Sequence, residues 1–298
     1  MRVVISGSSG MVGQALCTAL EADGVDILRL VRHRDQAQAG DAALWDPSTG
    51  EIDADLLAGA DAVVNLNGRS IAGGRWSERV KAELRSSRLD PTNTLARAVA
   101  AADPPPPVLV NASAVGFYGS RGEEVLEEGS PPGDSFLARL TRDWEAAALA
   151  AASPGTRVVP LRFGMILARG GAVGAMLPAF KLGLGGPIGS GRQWWPWIGI
   201  DDVVGVVRHA MATPGLDGAL NVVSPHQVRC RQFVKTLGRV LHRPAVLPAP
   251  AVAVRLVLGE MADELLLASQ RVEPRRLTES GYDFRRAELG DALRAALD

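Results

Sequence analysis

The chain opens with MRVVISGSSGMVG, residues 1–13, and this stretch predicts a strand, a tight turn and the start of a helix. The apolar run 3–5 indicates a buried strand. Glycines at 7, 10 and 13 let the backbone turn sharply and let a pyrophosphate approach, while the N-terminus of the following helix offers free N–H groups. The spacing is G-x-x-G-x-x-G rather than the G-x-G-x-x-G of ordinary dehydrogenases. Its position between a strand and a helix nevertheless favours a dinucleotide site over a plain structural turn.

The end of the second predicted strand bears on the choice of cofactor. Residues 26–31 indicate a strand, which ends in Val31-Arg32-His33-Arg34. A site that prefers NAD carries an acidic residue here to hold the ribose 2′-OH. A guanidinium instead suits a 2′-phosphate, so Arg32 favours NADP(H). The alternative, that Arg32 and Arg34 are solvated loop charges, stays open.

Strands and helices alternate along the first two thirds of the chain. This order predicts an α/β protein of Rossmann type, with a doubly wound parallel sheet and right-handed crossovers. Leu66 and Asn67 end a predicted strand, and ligands of such sheets lie beyond the carboxyl ends of the strands. Further strands are predicted at 61–68, 108–112, 156–162 and 218–223, and helices at 76–86, 89–101 and 136–152.

The character of the chain changes after residue 168. The glycine-rich segment 183–191 indicates a mobile substrate loop, and the three tryptophans at 194, 195 and 197 indicate either core or the wall of a ligand pocket. Asp201 and Asp202 are typical of a helix cap, with acid–base chemistry as the alternative. We predict an NADP-binding domain over 1–168 plus about 197–224, and a smaller, mainly C-terminal substrate lobe over about 169–196 plus 225–298.

Composition excludes several classes of protein. The net charge of −1 offers no global field for nucleic acid or an anionic membrane, although local basic patches remain open. The two cysteines form no C-x-x-C and the four histidines show no metal-ligand spacing, so we expect no disulfide and no metal. No apolar stretch spans a bilayer, and the early first strand leaves no room for a signal peptide. We expect a cytoplasmic monomer or homodimer that acts on an unknown small molecule, without nucleic-acid or membrane partners.

Several strings together resemble one family. They are the glycine turn, VVNLNG (63–68), Ser87-Arg88, RFGMIL (162–167), LGLGGPIGSG (182–191) and PWIGIDD (196–202). The chain resembles an atypical extended short-chain dehydrogenase/reductase of the epimerase-like SDR39U type, in the NAD-dependent epimerase/dehydratase superfamily, with that subfamily's own small C-terminal domain. The resemblance implies NADP(H) and these cofactor contacts: Gly7, Gly10, Met11, Val12, Gly13, Val31, Arg32, Leu66, Asn67, Glu83, Arg88 and Ile166.

Two of these implied contacts have a plainer alternative, and one departs from the subfamily. Glu83 and Arg88 stand five apart on a predicted helix, where both are also typical surface charges. Asn67 stands where the subfamily usually has alanine, a change that a backbone contact tolerates.

The usual catalytic relay of short-chain dehydrogenases is absent from this sequence. In that relay, Tyr-x-x-x-Lys places a lysine beside the phenol, lowers the phenol pKa and lets it exchange a proton with the substrate. Neither of the two tyrosines, Tyr118 and Tyr282, has a lysine four residues later. Alignment of helix 136–152 instead leaves Leu137 and Thr141 at the two relay positions.

Ser113 and Tyr118 remain as candidate catalytic residues. Each also has a structural alternative, a strand-end hydrogen bond for Ser113 and a packed aromatic ring for Tyr118. Two functions therefore stay open. One is an NADP(H)-dependent oxidoreductase or epimerase, and the other is an NADP(H)-binding sensor or interaction protein with little or no turnover.

Overall fold

A parallel sheet of seven strands lies at the centre of this computed structural model, which describes residues 1–38 and 40–297. Ala39 and Asp298, which the predicted domain ranges include, lie outside the described residues. The strands are β1 (Arg2–Ser6), β2 (Asp26–Val31), β3 (Ala42–Leu44), β4 (Ala62–Asn65), β5 (Val108–Ala114), β6 (Val125–Leu126), β7 (Arg157–Phe163), β8 (Met165–Leu167), β9 (Trp194–Trp195), β10 (Trp197–Gly199), β11 (Leu220–Val222), β12 (Val228–Arg229) and β13 (Arg271–Val272).

The helices cover the sheet and build a smaller C-terminal region. They are α1 (Met11–Ala22), α2 (Glu78–Ala101), α3 (Phe136–Leu149), α4 (Gly171–Lys181), α5 (Ile200–Ala212), α6 (Cys230–Val240), α7 (Ala251–Leu258), α8 (Arg275–Glu279) and α9 (Leu289–Leu297). A π-helical turn, Ala262–Leu266, follows α7.

The strand order is that of a doubly wound Rossmann sheet. It runs β11-β7-β5-β4-β1-β2-β3, and every neighbouring pair is parallel. The order reverses between β1 and β4, which makes the carboxyl ends of these strands the expected ligand crevice. The predicted fold class is confirmed.

Both faces of the sheet are buried, which explains the continuous apolar runs of its strands. Successive side chains of a strand point to opposite faces. Val3 and Ile5 accordingly pack in one cluster with α1 and α5, whereas Val4 packs in another with α2 and α3. All three are fully buried, so β1 is fixed in register by its own side chains.

The helix before β5 differs from its prediction. The sequence predicts two helices, whereas α2 is a single helix of 24 residues with Pro91 inside it. Pro91 is buried, and α2 packs along α3 and the sheet. This packing outweighs the hydrogen bond that the proline cannot donate. The short strands β3, β6, β8, β9, β10, β12 and β13 and the short helix α8 were not predicted, because such elements are too brief for a periodic pattern. Helix α4 was not predicted either.

Two of the three neighbouring tryptophans belong to the core of the C-terminal region. Trp195 and Trp197 are 2% and 1% exposed, and the Trp195 ring meets Phe233 edge to face. They pack with α6 and α9 in one cluster.

The division into two domains stays a prediction. No helix within the described ranges is long and apolar enough to cross a membrane.

Asp202 ties the C-terminal segment to α5. The N-cap of α5 is Gly199 and no side chain caps it, so the prediction of an aspartate cap is wrong. Instead, the buried carboxylate of Asp202 accepts hydrogen bonds from the backbone N–H groups of Arg285 and Arg286 and from the Tyr282 hydroxyl. The difference arises because a segment eighty or more residues further along the chain supplies the donors.

Candidate functional site

A cavity of about 590 Å³ opens at the carboxyl ends of β1 and β2. Its walls come from the glycine turn, the end of β2, the start of β3 and the residue after Leu66. Four predicted cofactor contacts line it: Gly7, Val31, Arg32 and Asn67. The structure thus brings residues from three separate loops together at the switch point of the sheet.

Two glycines of the turn are required by close backbone contacts. Gly7 has φ +77°, and a Cβ atom there would lie 2.7 Å from the Leu66 carbonyl. A Cβ atom on Gly13 would lie 2.3 Å from the Gly7 carbonyl oxygen. Gly10 N donates to that same oxygen at 3.1 Å. The glycine pattern therefore packs α1 tightly against the turn and β4.

The N-terminus of α1 begins directly after the cavity residues Gly7, Ser8 and Ser9. Gly10 is its N-cap, no side chain caps it, and its first turn carries no acidic residue. Met11, Val12 and Gly13 form that first turn, whose N–H groups point away from the helix and carry its partial positive charge. This arrangement suits the phosphates of a dinucleotide.

Arg32 supplies a positive charge to the other end of the cavity. Its side chain is exposed and takes part in no ion pair within residues 1–38 and 40–297. Asp41 also lines the cavity, but its carboxylate is held by Arg29. His33 stands beside Arg32 in the wall. Arg32 is therefore a cation of the cavity wall that no carboxylate within the described residues neutralises.

A buried polar network supports the floor of the crevice. Asn65 Oδ1 accepts hydrogen bonds from Ser6 Oγ and from the Asn67 side chain, both at 2.9 Å. Asn65 Nδ2 donates to Asn111 Oδ1 at 2.7 Å and to Thr92 Oγ1 at 2.8 Å. Each member therefore finds its partners in the low-dielectric interior, which orients Asn67 toward the cavity.

The sequence reasoning missed this network, although a signal for it exists. Asn65 and Asn111 pair in register on β4 and β5. Asn65 ends β4 and Asn111 lies in the middle of β5, so the signal is a polar residue within each of two neighbouring apolar strands.

The other predicted cofactor contacts are not among the residues that line the cavity. Glu83 is held by Arg69 and Arg79 in ion pairs. One core cluster has three of the predicted contacts at its edge as half-buried side chains: Val12, Leu66 and Ile166. This cluster brings the turn, the end of β4 and β8 together.

Arg88 is a partly desolvated cation near the loop after β4. It donates to the carbonyl oxygens of Leu84 and Arg69, each at 3.0 Å, and lies over the Trp144 ring at 5.1 Å. Burial lowers the pKa of Arg88 to about 10. Its guanidinium lies against Gly68, next to the loop that continues from the cavity wall.

Ser113 and Tyr118 belong to one buried network. Ser113 Oγ donates to Glu145 Oε1 at 2.5 Å, and Glu145 forms a bidentate ion pair with Arg162 at 2.8 Å. Arg162 also donates to the Tyr118 hydroxyl, which donates to Asn221 Oδ1 at 2.7 Å. Burial raises the pKa of Tyr118 to about 12. Neither side chain lines the cavity, and their catalytic roles stay predictions.

The two positions aligned with the usual relay hold a leucine and a threonine in place of the tyrosine and lysine. Leu137 and Thr141 are buried, and the Thr141 hydroxyl donates to the Leu137 carbonyl at 2.7 Å.

Glu264 of the π-helical turn covers the start of α3. Its carboxylate accepts hydrogen bonds from Phe136 N and Ser135 Oγ at 2.8 Å and from Leu137 N at 3.0 Å. The sequence offered no signal for this contact.

The sheet order, the glycine turn and the crevice beyond it define a Rossmann-type nucleotide-binding protein. Residues 3–222 match the model of the NAD dependent epimerase/dehydratase family, and residues 249–296 match a domain of unknown function, DUF1731. The chain belongs to the NAD dependent epimerase/dehydratase family.

Known relatives extend this similarity over the whole chain. It is 44% identical to epimerase family protein MT2273 of Mycobacterium tuberculosis, covering 98% of this chain and 96% of that protein. It is 39% identical to human epimerase family protein SDR39U1, covering 99% of each. The crystal structure of human SDR39U1 (isoform 2) with NADPH matches with a TM-score of 0.90 at 38% identity, over 100% of this chain and 99% of that one. The predicted family is confirmed.

Proposed function

We propose that this chain binds NADP(H) and acts as an oxidoreductase or epimerase on a small molecule. One observation carries the proposal: Arg32 lines the cavity at the end of β2, where a site selective for NAD holds a carboxylate. The crystallisation of human SDR39U1 with NADPH supports it, because the two folds match over their whole length.

Each part of the crevice has a role in this proposal. The Arg32 guanidinium binds the 2′-phosphate through charge-assisted hydrogen bonds, and Val31 and Asn67 flank the adenosine ribose. The N–H groups at the start of α1 bind the pyrophosphate. Leu66, Ile166, Glu83 and Arg88 complete the cofactor contacts toward the nicotinamide. Bound NADP(H) would supply a hydride donor or acceptor.

A second candidate function is an NADP(H)-binding sensor or interaction protein with little or no turnover. The buried network around Arg162 favours it, because Ser113 and Tyr118 are already engaged there. Leu137 and Thr141 also offer no acid or base. Turnover in the first function therefore rests on Ser113, on Tyr118 or on water.

Nucleotide titration of the purified chain tests the cofactor. We expect NADPH to bind more tightly than NADH, and Arg32→Ala to weaken NADPH binding by about 1–3 kcal/mol with little effect on NADH. Arg34→Ala, which removes an equal charge two residues further on, serves as the matched control. Equal affinities for both nucleotides in the native chain would contradict the proposal.

Activity measurements separate the two candidate functions. NADPH oxidation is followed spectroscopically against a panel of small carbonyl compounds, with Ser113→Ala and Tyr118→Phe as variants. Turnover that either variant abolishes, at unchanged NADPH affinity, supports the enzyme. An epimerase regenerates its cofactor and shows no net NADPH oxidation, so epimerisation of small alcohols in the presence of NADP⁺ is measured as well. NADPH binding with neither activity favours the sensor. The proposal keeps the predicted cytoplasmic location, which the buried free thiols Cys17 and Cys230 support.

A further inference from the structure

The C-terminal region carries a helix whose apolar surface is uncovered. Helix α7 has the sequence AVAVRLVL, and none of its side chains is buried. Val252, Leu256 and Val257 are 66%, 72% and 69% exposed. A helix that is apolar on nearly all sides normally lies in a core or against a membrane. The exposed apolar side chains of α7 therefore indicate that another surface covers this helix.

The uncovered surface extends beyond this helix. Leu182 and Leu184 follow α4, Val246 and Leu247 precede α7, and all four are exposed. The two segments run side by side, because Leu247 N donates to the Gly185 carbonyl at 3.1 Å. We define the apolar patch as Leu182, Leu184, Val246, Leu247, Val252, Leu256 and Val257.

A basic stripe lies beside the apolar patch. Arg231, Lys235 and Arg239 stand four residues apart on α6, so they share one exposed face, and His242 and Arg243 extend it. No ion pair among the described residues includes any of the five. Residues 218–259 contain six Lys or Arg and no Asp or Glu, in a chain with 32 basic and 33 acidic residues. Two of the six, Arg229 and Arg255, pair with Glu123 and Asp263, and the other four are the Lys and Arg side chains of the stripe.

The glycine-rich loop 183–191 joins the stripe to the patch. Arg231 N, in the first turn of α6, donates to the Gly191 carbonyl at 2.9 Å. At the other end of the loop, a Cβ atom on Gly183 would lie 3.9 Å from the Pro244 ring, just past α6. The loop therefore runs along α6 and ends at the apolar patch.

We propose that this combined face docks on the surface of an anionic phospholipid bilayer. Apolar side chains would enter the interfacial zone while the Lys and Arg side chains meet the lipid phosphates, the combination that interfacial helices use. Charge argues against one rival occupant, and the exposed apolar side chains argue against the other. A second copy docked through the same face would oppose two basic stripes, and a nucleic acid would leave the apolar side chains in water. This inference concerns contact with a membrane surface through a local patch, whereas the expectation of no membrane partner was drawn from the net charge of the whole chain.

Vesicle co-sedimentation of the full chain tests the proposal. We expect binding to vesicles of phosphatidylcholine with phosphatidylglycerol, no binding to phosphatidylcholine alone, and weaker binding at high salt. Leu256→Glu combined with Val257→Glu should reduce binding to background. Lys235→Glu combined with Arg239→Glu should weaken it about tenfold or more.

Matched controls place equal changes outside this face. Leu149→Glu alters an apolar residue that is 44% exposed at the end of α3, and Arg97→Glu with Arg142→Glu reverses two charges on α2 and α3. Both should bind anionic vesicles like the native chain. Thermal unfolding and NADPH titration of every variant show whether the fold and the cavity persist, which separates this proposal from the proposed function.

Three results would overturn the proposal. They are the absence of binding to anionic vesicles, equal binding to both kinds of vesicle, and a loss of binding in the controls as large as in the face variants. Self-association without lipid, measured by light scattering and abolished by Leu256→Glu, would assign the face to a second copy instead.

Discussion

Ser113 Oγ donates a 2.5 Å hydrogen bond to Glu145 Oε1, and both side chains are buried. The same carboxylate neutralises Arg162, so the serine completes a buried ion pair. To contact a substrate, Ser113 would have to break a hydrogen bond to a charged group. The strongest candidate for acid–base chemistry in this sequence is thus held in a structural network.

The buried pair of Glu145 and Arg162 should dominate the stability of this region. Glu145→Ala leaves the Arg162 guanidinium buried without its counter-ion, and we expect a loss of about 3–5 kcal/mol in the free energy of unfolding. Urea denaturation measures the effect. The control is Glu279→Ala, which breaks an exposed pair with Arg275 and should cost less than about 1 kcal/mol. Similar losses in both variants would contradict the prediction.

Both tyrosines should resist ionisation in the folded chain. Burial raises the pKa of Tyr118 to about 12, from an ordinary value of 10.0, and raises the pKa of Tyr282 as well. At pH 10 the native chain should show little phenolate absorbance, whereas the chain in urea should be about half ionised.

The same shift fixes the sign of a pH effect on stability. The folded state favours the neutral phenol of Tyr118, so its contribution is complete below pH 10 and is lost as the pH rises toward 12. Tyr118→Phe should flatten that decline in unfolding measurements. If the free energy of unfolding declined with the same slope above pH 10 in Tyr118→Phe, groups other than Tyr118 would cause the decline.

Gly13→Ala should damage the fold and the nucleotide site together. The new Cβ atom would lie 2.3 Å from the Gly7 carbonyl oxygen, so α1 must shift away from the turn. We expect a loss of about 1–3 kcal/mol in unfolding free energy and weaker NADPH binding. Gly215→Ala, where no atom lies within 4 Å of the new Cβ, should change neither. NADPH affinity unchanged in Gly13→Ala would contradict the assigned role of the turn.

Arg32→Asp should reverse the cofactor preference. A carboxylate at the end of β2 repels a 2′-phosphate and accepts a hydrogen bond from a free 2′-OH. We expect NADPH binding to fall by about tenfold or more while NADH binding rises. Arg34→Asp adds the same charge outside the cavity lining and should leave the preference unchanged. A preference that persists in Arg32→Asp would place the 2′-phosphate elsewhere.

Local pattern sufficed for the central sheet. Strand β2 has the predicted bounds, and the predicted helix follows the glycine turn, with its start at Met11. The pattern failed where packing outweighed local preference. Pro91 stays inside α2 because α3 and the sheet hold that helix in place.

The sequence by itself determined the fold class, the glycine turn, the family and the loss of the Tyr–Lys relay. Each of these properties depends on short motifs, in which the spacing of residues close together in the chain sets the local backbone geometry and marks the family. Only the tertiary structure decided that Ser113 and Tyr118 share one network with Glu145 and Arg162, and that Asp202 holds the C-terminal segment. Such roles depend on partners from distant segments, because a buried polar group takes whichever donor or acceptor the folded chain brings to it.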